Sequence, residues 1–470
     1  MPGEPRTNWA LVFGGALLVA GLSLLWQAAP TTDPWGWIVW GREVAHLDLN
    51  TSSSGAPSWK PLPVLITTPL SVFGDASPVL WLLVSRTAGL MAPVFAYRLA
   101  SRIGGRPAGV LAAGLLILSE GWLQGYLHGY LEPAVVGLLL AAVECHLVGR
   151  PRAVLALLFV AGLARPEVWP LFALYGGWRI SQDAGQRALV ASLLGATAIL
   201  WFGGDLWGSG NPFHGGEVAR AVSEHWGRSG FGTLLLAASG LEIGMVVVSV
   251  LGLLVIKPRD SRVSLLAAGS VAWFVLLLAL VGAGYPASPR FMAPPVAGLC
   301  VLCGVLAVEL WRRVATLDVP VRRPAVAVAL AFLLIAVVLP RAISSATTFQ
   351  ETRHRAEVQA DLRATVRHVG PDRLLRCGAP VLRQDSYWNE GALAWELDLP
   401  LASVRVLTAA EAMDLADKRA VVVHAASEAP TRAASLARTR LWSVARFSPG
   451  NSVDTGCGGK ALQLAMIARP

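Results

Sequence analysis

The chain has 470 residues, 54% hydrophobic and only 15% charged, with 18 tryptophans and a mean hydropathy of +0.55. A soluble domain carries roughly a quarter charged residues, so the composition excludes an ordinary soluble enzyme and points to a polytopic membrane protein. The net charge of +9 does not imply nucleic acid, because the arginines mostly flank apolar runs and no basic stretch has interleaved aromatics; topology and anionic lipid account for it.

In chain order, the opening run from Trp9 to Trp26 is long and lacks a small-residue cleavage site, so it reads as a retained first span rather than a signal peptide. It is followed by Thr31-Thr32-Asp33-Pro34-Trp35-Gly36-Trp37-Ile38-Val39-Trp40, an acid and a proline beside three tryptophans. Tryptophan favours the headgroup layer, and the spacing predicts a short interfacial helix that holds the Asp33 carboxylate at the membrane surface. The stretch 61–74, interrupted by Pro61, Pro63 and Pro69, is a re-entrant or interfacial piece.

Apolar runs lie at about 9–29, 78–101, 107–121, 132–148, 153–164, 168–179, 188–207, 233–256, 263–283, 291–311 and 325–340. A span of ~30 Å takes about 20 residues. The two pieces flanking Arg165-Pro166-Glu167 are shorter, so they are tilted or are half-width helices meeting at a break. The expected fold is a polytopic α-helical membrane protein of about eleven transmembrane helices. With the N-terminus cytoplasmic, the cytoplasmic connections hold about 15 Lys and Arg (Arg6 included) and the exterior ones before the tail 6, as the positive-inside rule requires.

That orientation gathers the ionisable groups of the helix mouths on the exterior side: Asp33, Glu43 and Asp48; His128, Tyr130 and Glu132; Arg165 and Glu167; His214 and Glu217; Tyr285 and Arg290. Arg86, about eight residues into the second span, lies in the outer half of the bilayer, where a charge is costly unless paired or hydrated. Together these residues predict an outward-facing polar cavity. After residue 340 charges become frequent, and 350–368 reads as an amphipathic helix. Short strands are expected at Arg373–Cys377, Ser403–Leu407, Ala420–His424, Trp442–Phe447 and Leu462–Ile467, with helices near 388–397, 409–417 and 430–438. The domains expected are therefore 1–340, transmembrane, and 341–470, a small C-terminal extracytoplasmic α/β domain. Cys377 and Cys457 either form a disulfide there or remain two thiols. Cys300 and Cys303 read as packing residues, and no cysteine pattern predicts a metal site.

Several residues carry two readings. Asp33 is a general base within reach of an acceptor hydroxyl, or the N-cap of the following helix. Glu132 is a second carboxylate that orients the acceptor or binds a cation, or a first-turn acid favouring the helix dipole. Arg165 and Glu167 touch a polar substrate group, or neutralise one another. Arg290 clamps a phosphate with its planar donor fork, or is an ordinary interfacial arginine. His214, in the turn Asn211-Pro212-Phe213-His214, donates to substrate, ligates a metal should one bind, or does neither. An acid just outside span one, a second before a later span, an outer-face arginine and an exterior tail resemble the GT-C superfamily of membrane glycosyltransferases that use polyprenyl-phosphate sugars. The likeness is strongest to actinobacterial mannosyl- or arabinosyltransferase-like members, and it covers roughly residues 9–340.

The resemblance implies Asp33 as the first-loop catalytic acid, Glu132 as the second acid and Arg290 as a phosphate binder. The cavity's other polar groups, Arg165, Glu167, His128, Tyr130, His214, Arg86 and Glu43, are candidates to bind substrate. It implies a polyprenyl-phosphate sugar donor, a glycan or lipid acceptor, surrounding membrane lipids and transfer with inversion. Pro34 stands where a paired-acid motif has a second acid, and Glu43 replaces it only loosely, so the resemblance assigns no metal ligands and leaves a Mg or Mn requirement open. The competing classes are a transporter or flippase of lipid-linked sugars and a noncatalytic envelope-assembly protein. The largely apolar cytoplasmic half of the spans argues against a full transport pathway.

Overall fold

In hydrocarbon every backbone N–H and C=O must find its partner within the chain, which makes helix the conformation of an apolar run. Helices accordingly dominate the computed structural model, which describes residues 7–53, 57–225, 232, 243–256, 260–315, 322–375, 380–383, 388–407, 420–424, 434–438, 442–446 and 463–468. Four helical stretches are long and apolar enough to cross a membrane: Pro61–Gly104, Ala184–Ser209, Ser261–Gly282 and Pro289–Arg313. Arg106–Ile117 and Glu120–His128, bent by 62°, pass the same test as a pair, and Trp9–Ser23 and Pro151–Ala164 are apolar but shorter. Length thus identifies four or five spans among the described residues, and the expected count of eleven includes the shorter helices. Leu11, Phe13, Leu18 and Leu22 of the first helix and Val271 and Val275 of Ser261–Gly282 are all more than half exposed. Apolar faces this large suit lipid rather than water.

The chain divides into two compact units that interleave in sequence. The first comprises Met1–Leu25, Leu82–Ala198 and Ala219–Gln350. Its central helix, Ala293–Ala315, packs on Arg106–Ile117, Glu132–Leu147, Ile243–Ile256 and Ser261–Gly282. Small residues let these backbones approach: a Cβ on Gly304 would lie 2.5 Å from the Ala108 carbonyl oxygen, and one on Gly137 would lie 3.1 Å from the Ala92 nitrogen. At one helix end, Arg98 embraces the Glu144 carboxylate through Nε and Nη2, and Arg102 adds a second cation at 2.9 Å.

The second unit comprises Trp26–Trp81, Ile199–Val218 and Glu351–Pro470. The expected helix after the first span is present as Thr32–Ala45, but Asp33 is not its cap. Thr31 is the N-cap and Asp33 sits in the first turn, where a negative charge favours the helix dipole. Nor do its tryptophans face a headgroup layer: Trp35, Trp37 and Trp40 are at most 3% exposed. The reason is packing on two sides. Gly41 lies against Thr67 of the helix Pro61–Leu70, and Gly391 of the helix Glu390–Glu396 lies against Trp35. Trp37 meets Trp81 edge-on at 5.8 Å, Trp40 meets Trp59 at 6.0 Å, and Trp35 Nε1 donates to Gln359 Oε1. The prolines at 61 and 63 begin the helix Pro61–Leu70, where their missing N–H groups are not needed. A left-handed Gly74 then separates it from Ser77–Gly104.

One helix, Arg322–Val369, runs through Pro340 and includes the expected amphipathic stretch. Beyond it, the expected strand 373–377 is replaced at its start by a short helix, Pro371–Leu375, which proline initiates directly after a left-handed Gly370. Strands β1 (Pro380–Arg383), β2 (Arg405–Leu407), β3 (Ala420–His424), β4 (Ala434–Arg438), β5 (Trp442–Arg446) and β6 (Gln463–Ala468) pair in the order β2-β1-β6-β3-β5-β4. Pairing is parallel among β2, β1, β6 and β3 and antiparallel from β3 through β5 to β4. β4 occupies residues expected to be helical, because its backbone pairs with β5. Cys377, Cys457 and the helix expected at 409–417 lie outside the described residues.

The close helix contacts yield a test. Gly304→Val should lower stability by about 1–3 kcal/mol through overpacking, read as a reduced thermal midpoint of the purified protein. Gly149, which has no neighbour within 4 Å of an added Cβ but a positive φ of 71°, should tolerate Asn far better than Val, since Asn adopts the left-handed region more readily.

Candidate functional site

The first unit brings four of the expected charges together. Glu132, Arg165, Glu167 and Arg290 line one small hollow with Val135, Trp273, Phe291 and Pro294. Each of the four stands within two residues of a proline at a helix boundary. Pro133 follows Glu132 in the first turn of Glu132–Leu147, and a left-handed Gly129 ends the helix before it. Pro166 disfavours helix at the preceding residue; Arg165 is extended (φ −145°, ψ 120°) and closes Pro151–Ala164. Ser288 is extended in the same way ahead of Pro289, which opens the turn carrying Arg290. Proline thus breaks apolar helices at the points where charges are needed.

The charges compensate one another. Arg165 Nη2 and Arg290 Nε both meet Glu132 Oε1, the former in a very short contact and the latter at 3.3 Å. Arg165 Nη1 lies 3.5 Å from Glu167 Oε1, and the Tyr285 hydroxyl donates to that same oxygen at 3.1 Å. Aromatic faces cover the cations: the Arg165 guanidinium lies 4.4 Å from the Phe291 ring centre, and that of Arg290 lies 4.6 Å from the Tyr130 centre. Phe291 is itself fixed by Trp273 Nε1, which donates to its carbonyl. Glu132, Arg165 and Glu167 are buried, whereas the Arg290 side chain is 27% exposed. Burial, then the neighbouring Glu167 carboxylate, push the Tyr285 hydroxyl pKa up, so it remains a donor. Arg290 is therefore the cation best placed to meet an incoming anion.

Other expected residues stand elsewhere in this unit. His128 is buried, with its ring edge-on to Tyr130 at 6.4 Å. Arg86 is fully buried and donates to the Ser23 carbonyl and hydroxyl and to the Leu127 carbonyl, with the Tyr126 ring beside it. These bonds engage both terminal nitrogens of a charge inside the helical layer and join three helices.

In the second unit Asp33 has a partner that no local sequence pattern marks: Lys60 Nζ lies 3.8 Å from Asp33 Oδ2 and 5.1 Å from the Trp37 ring centre. The Asp33 side chain is 16% exposed and that of Lys60 6%. Glu43 is buried with both oxygens committed, Oε2 to the Asn50 amide and Oε1 to the Leu401 amide, each at 2.8 Å. It ties this helix to the following loop and to the segment after Glu390–Glu396. His214 Nε2 meets the Thr51 carbonyl oxygen at 2.8 Å, within the turn expected at 211–214. Among the described residues no three His, Cys, Asp or Glu side chains are placed to hold one metal ion.

No family model and no curated protein matches the chain. Among solved structures, ArnT from Cupriavidus metallidurans bound to undecaprenyl phosphate is similar over 95% of this chain and 100% of its own, with a TM-score of 0.55 at 16% identity. The apo form of that protein gives 0.54 over 96% and 100%, also at 16% identity. The Archaeoglobus fulgidus oligosaccharyltransferase AglB, in complex with an inhibitory peptide and a dolichol-phosphate, gives 0.46 over 84% of this chain and 64% of its own at 12% identity, too distant to carry an argument. The likeness to ArnT shows a shared fold.

The buried Glu43 gives a pH test. Burial raises its pKa to about 7 against the two backbone amides that lower it. Between the ordinary carboxylate value and 7 the folded state holds a proton that the unfolded state has released, so stability falls as pH rises through that window. The full swing amounts to roughly 3 kcal/mol. Glu43→Gln should be less stable at low pH, where it loses an acceptor for one amide, yet show a flatter decline between pH 4.5 and 7 when thermal midpoints are compared.

Proposed function

We propose that the protein is a membrane glycosyltransferase that moves a sugar from a polyprenyl-phosphate donor to an extracytoplasmic glycan or lipid acceptor. The observation that carries this reading is the Glu132–Arg165–Glu167–Arg290 cluster at the broken ends of apolar helices, in a chain with the fold of a protein solved with undecaprenyl phosphate. A polyprenyl phosphate keeps its tail in hydrocarbon and its phosphate at the level of helix ends. A part-exposed guanidinium that meets its carboxylate at 3.3 Å can exchange that carboxylate for the phosphate, whose oxygens also match its donor fork.

In the proposed reaction the acceptor hydroxyl attacks the anomeric carbon as the bond from that carbon to the phosphate oxygen breaks. The hydroxyl proton passes to a general base and the phosphate leaves with the bonding pair onto Arg290; Asp33, which Lys60 pairs in the second unit, is the residue proposed as that base from its sequence context. Stabilising that developing charge lowers the barrier, and attack opposite the leaving group inverts the anomeric centre. Glu132, relieved of Arg290, remains paired with Arg165. The donor sugar is a hexose or pentose, mannose and arabinose being the first to test. The tail after residue 340 lies outside the cytoplasm in this reading and serves the acceptor.

Purified protein in lipid, given radiolabelled polyprenyl-phosphate sugars, should transfer label to a glycan or lipid acceptor. Asp33→Asn should lower turnover by about 10²–10⁴-fold with folding and insertion intact. Arg290→Ala should lower it by roughly 10²–10³-fold, and Arg290→Lys should recover only part of that loss. Equal turnover in wild type and Asp33→Asn would remove Asp33 from the mechanism, and absence of transfer from every donor would contradict the enzyme.

A further inference from the structure

One atom of the cluster stands apart from the ion-pair network. Glu167 is 2% exposed and lines the hollow, yet among the described residues its Oε2 has no hydrogen-bond partner. Its Oε1 is fully engaged, accepting from the Tyr285 hydroxyl and facing Arg165. The contrast within the same chain is direct: Glu43 has a backbone amide on each oxygen, and Glu144 has Arg98 donors on both. A buried carboxylate oxygen with no donor is unfavourable, so Oε2 is an acceptor that a bound ligand can satisfy.

The chemistry of that ligand follows from its neighbours. Two arginines and two glutamates leave the cluster neutral by formal charge. Arg165 already compensates Glu167 and would repel an ammonium group. A neutral hydroxyl meets Oε2 without adding charge. Arg290, the part-exposed cation lining the same hollow, is the group that suits an anion. A ligand with a phosphate at one end and a ring hydroxyl at the other satisfies both groups at once.

We infer that Glu167 is the residue through which this hollow reads the carried sugar, its Oε2 accepting a hydrogen bond from one ring hydroxyl of the donor while Arg290 holds the phosphate. This rests on the glycosyltransferase reading and adds to it a specificity-determining residue. Tyr285 is its positioning residue: by donating to Oε1 it turns Oε2 toward the ligand. A site that hydrogen-bonds a hydroxyl strongly rejects the analogue lacking it, because the buried acceptor is then left unpaired.

The test is equilibrium binding to the full-length protein in lipid nanodiscs. The probes are polyprenyl phosphate, its mannose, glucose, galactose and arabinose esters, and single-deoxy forms of the tightest binder. Wild type should bind one sugar ester more tightly than polyprenyl phosphate, and one deoxy form should lose about 10–100-fold, the range for a hydrogen bond to a charged group. In Glu167→Gln the remaining carbonyl stays with Tyr285 and an amide donor replaces Oε2. That variant should bind the deoxy and parent esters alike; the ratio of the two is the readout, because loss of a carboxylate beside Arg165 and Arg290 also shifts the affinity for polyprenyl phosphate. Tyr285→Phe should weaken the parent ester and spare polyprenyl phosphate.

Three results would overturn the inference: no deoxy form discriminated by wild type, sugar ester and polyprenyl phosphate weakened equally by Glu167→Gln, or no change in either, which would mean that water completes Glu167. The wild-type deoxy series decides the matter even if the variants fail to fold. Binding of no polyprenyl ligand at all by wild type would instead bring down the glycosyltransferase reading.

Discussion

The first unit depends on one act of charge compensation. Arg165 and Arg290 converge on a single oxygen of Glu132, and Arg165 reaches on to Glu167. Isolated charges at the ends of apolar helices would be strongly unfavourable, and removing one member of such a group leaves its partner uncompensated. Kept together, the four form a neutral cluster that apolar helices can surround. The cluster is uneven, and that gives it a use. Arg165 is buried between two carboxylates, whereas Arg290 meets Glu132 and keeps part of its surface open.

A different device serves Asp33 in the second unit. Here the carboxylate lies in the first turn of a helix whose aromatic side chains are buried by two other helices, and Lys60 pairs with it from the residue before a proline-initiated helix. The helix is held from its other end by Glu43, which takes amides from two separate loops. Arg42 adds a hydrogen bond to the Leu399 carbonyl and stacks over Trp395. The residues that keep this helix in place thus include a segment some 350 positions away in sequence, so the polar tail is part of the framework that supports Asp33.

Much of this was legible in the sequence. The break at Arg165-Pro166-Glu167 announced itself because proline restricts the residue before it, and the structure has two helices meeting there through a 3-10 turn. The charges at 132, 165, 167 and 290 stood out against apolar surroundings, where any charge demands a partner. Which partner each one took was not legible: Lys60 pairs with Asp33 across 27 residues and Tyr285 meets Glu167 across 118, separations that only tertiary structure closes. The tryptophans after Asp33 misled because interfacial and buried tryptophan share one sequence signature. What decides is the packing of Gly41 and Gly391 against neighbours that local pattern does not reveal. The strand at Ala434–Arg438 escaped for a related reason, since its five residues owe their conformation to pairing with β5.

The central claim is that Arg290 gives up Glu132 for the phosphate of a lipid carrier. The most direct measurement is an experimental structure of the protein in a lipid nanodisc with polyprenyl phosphate bound. The account predicts phosphate oxygens within hydrogen-bond distance of the Arg290 guanidinium, Glu132 withdrawn from it and Arg165 still holding Glu132. Phosphate bound elsewhere, with the Arg290–Glu132 contact intact, would contradict it.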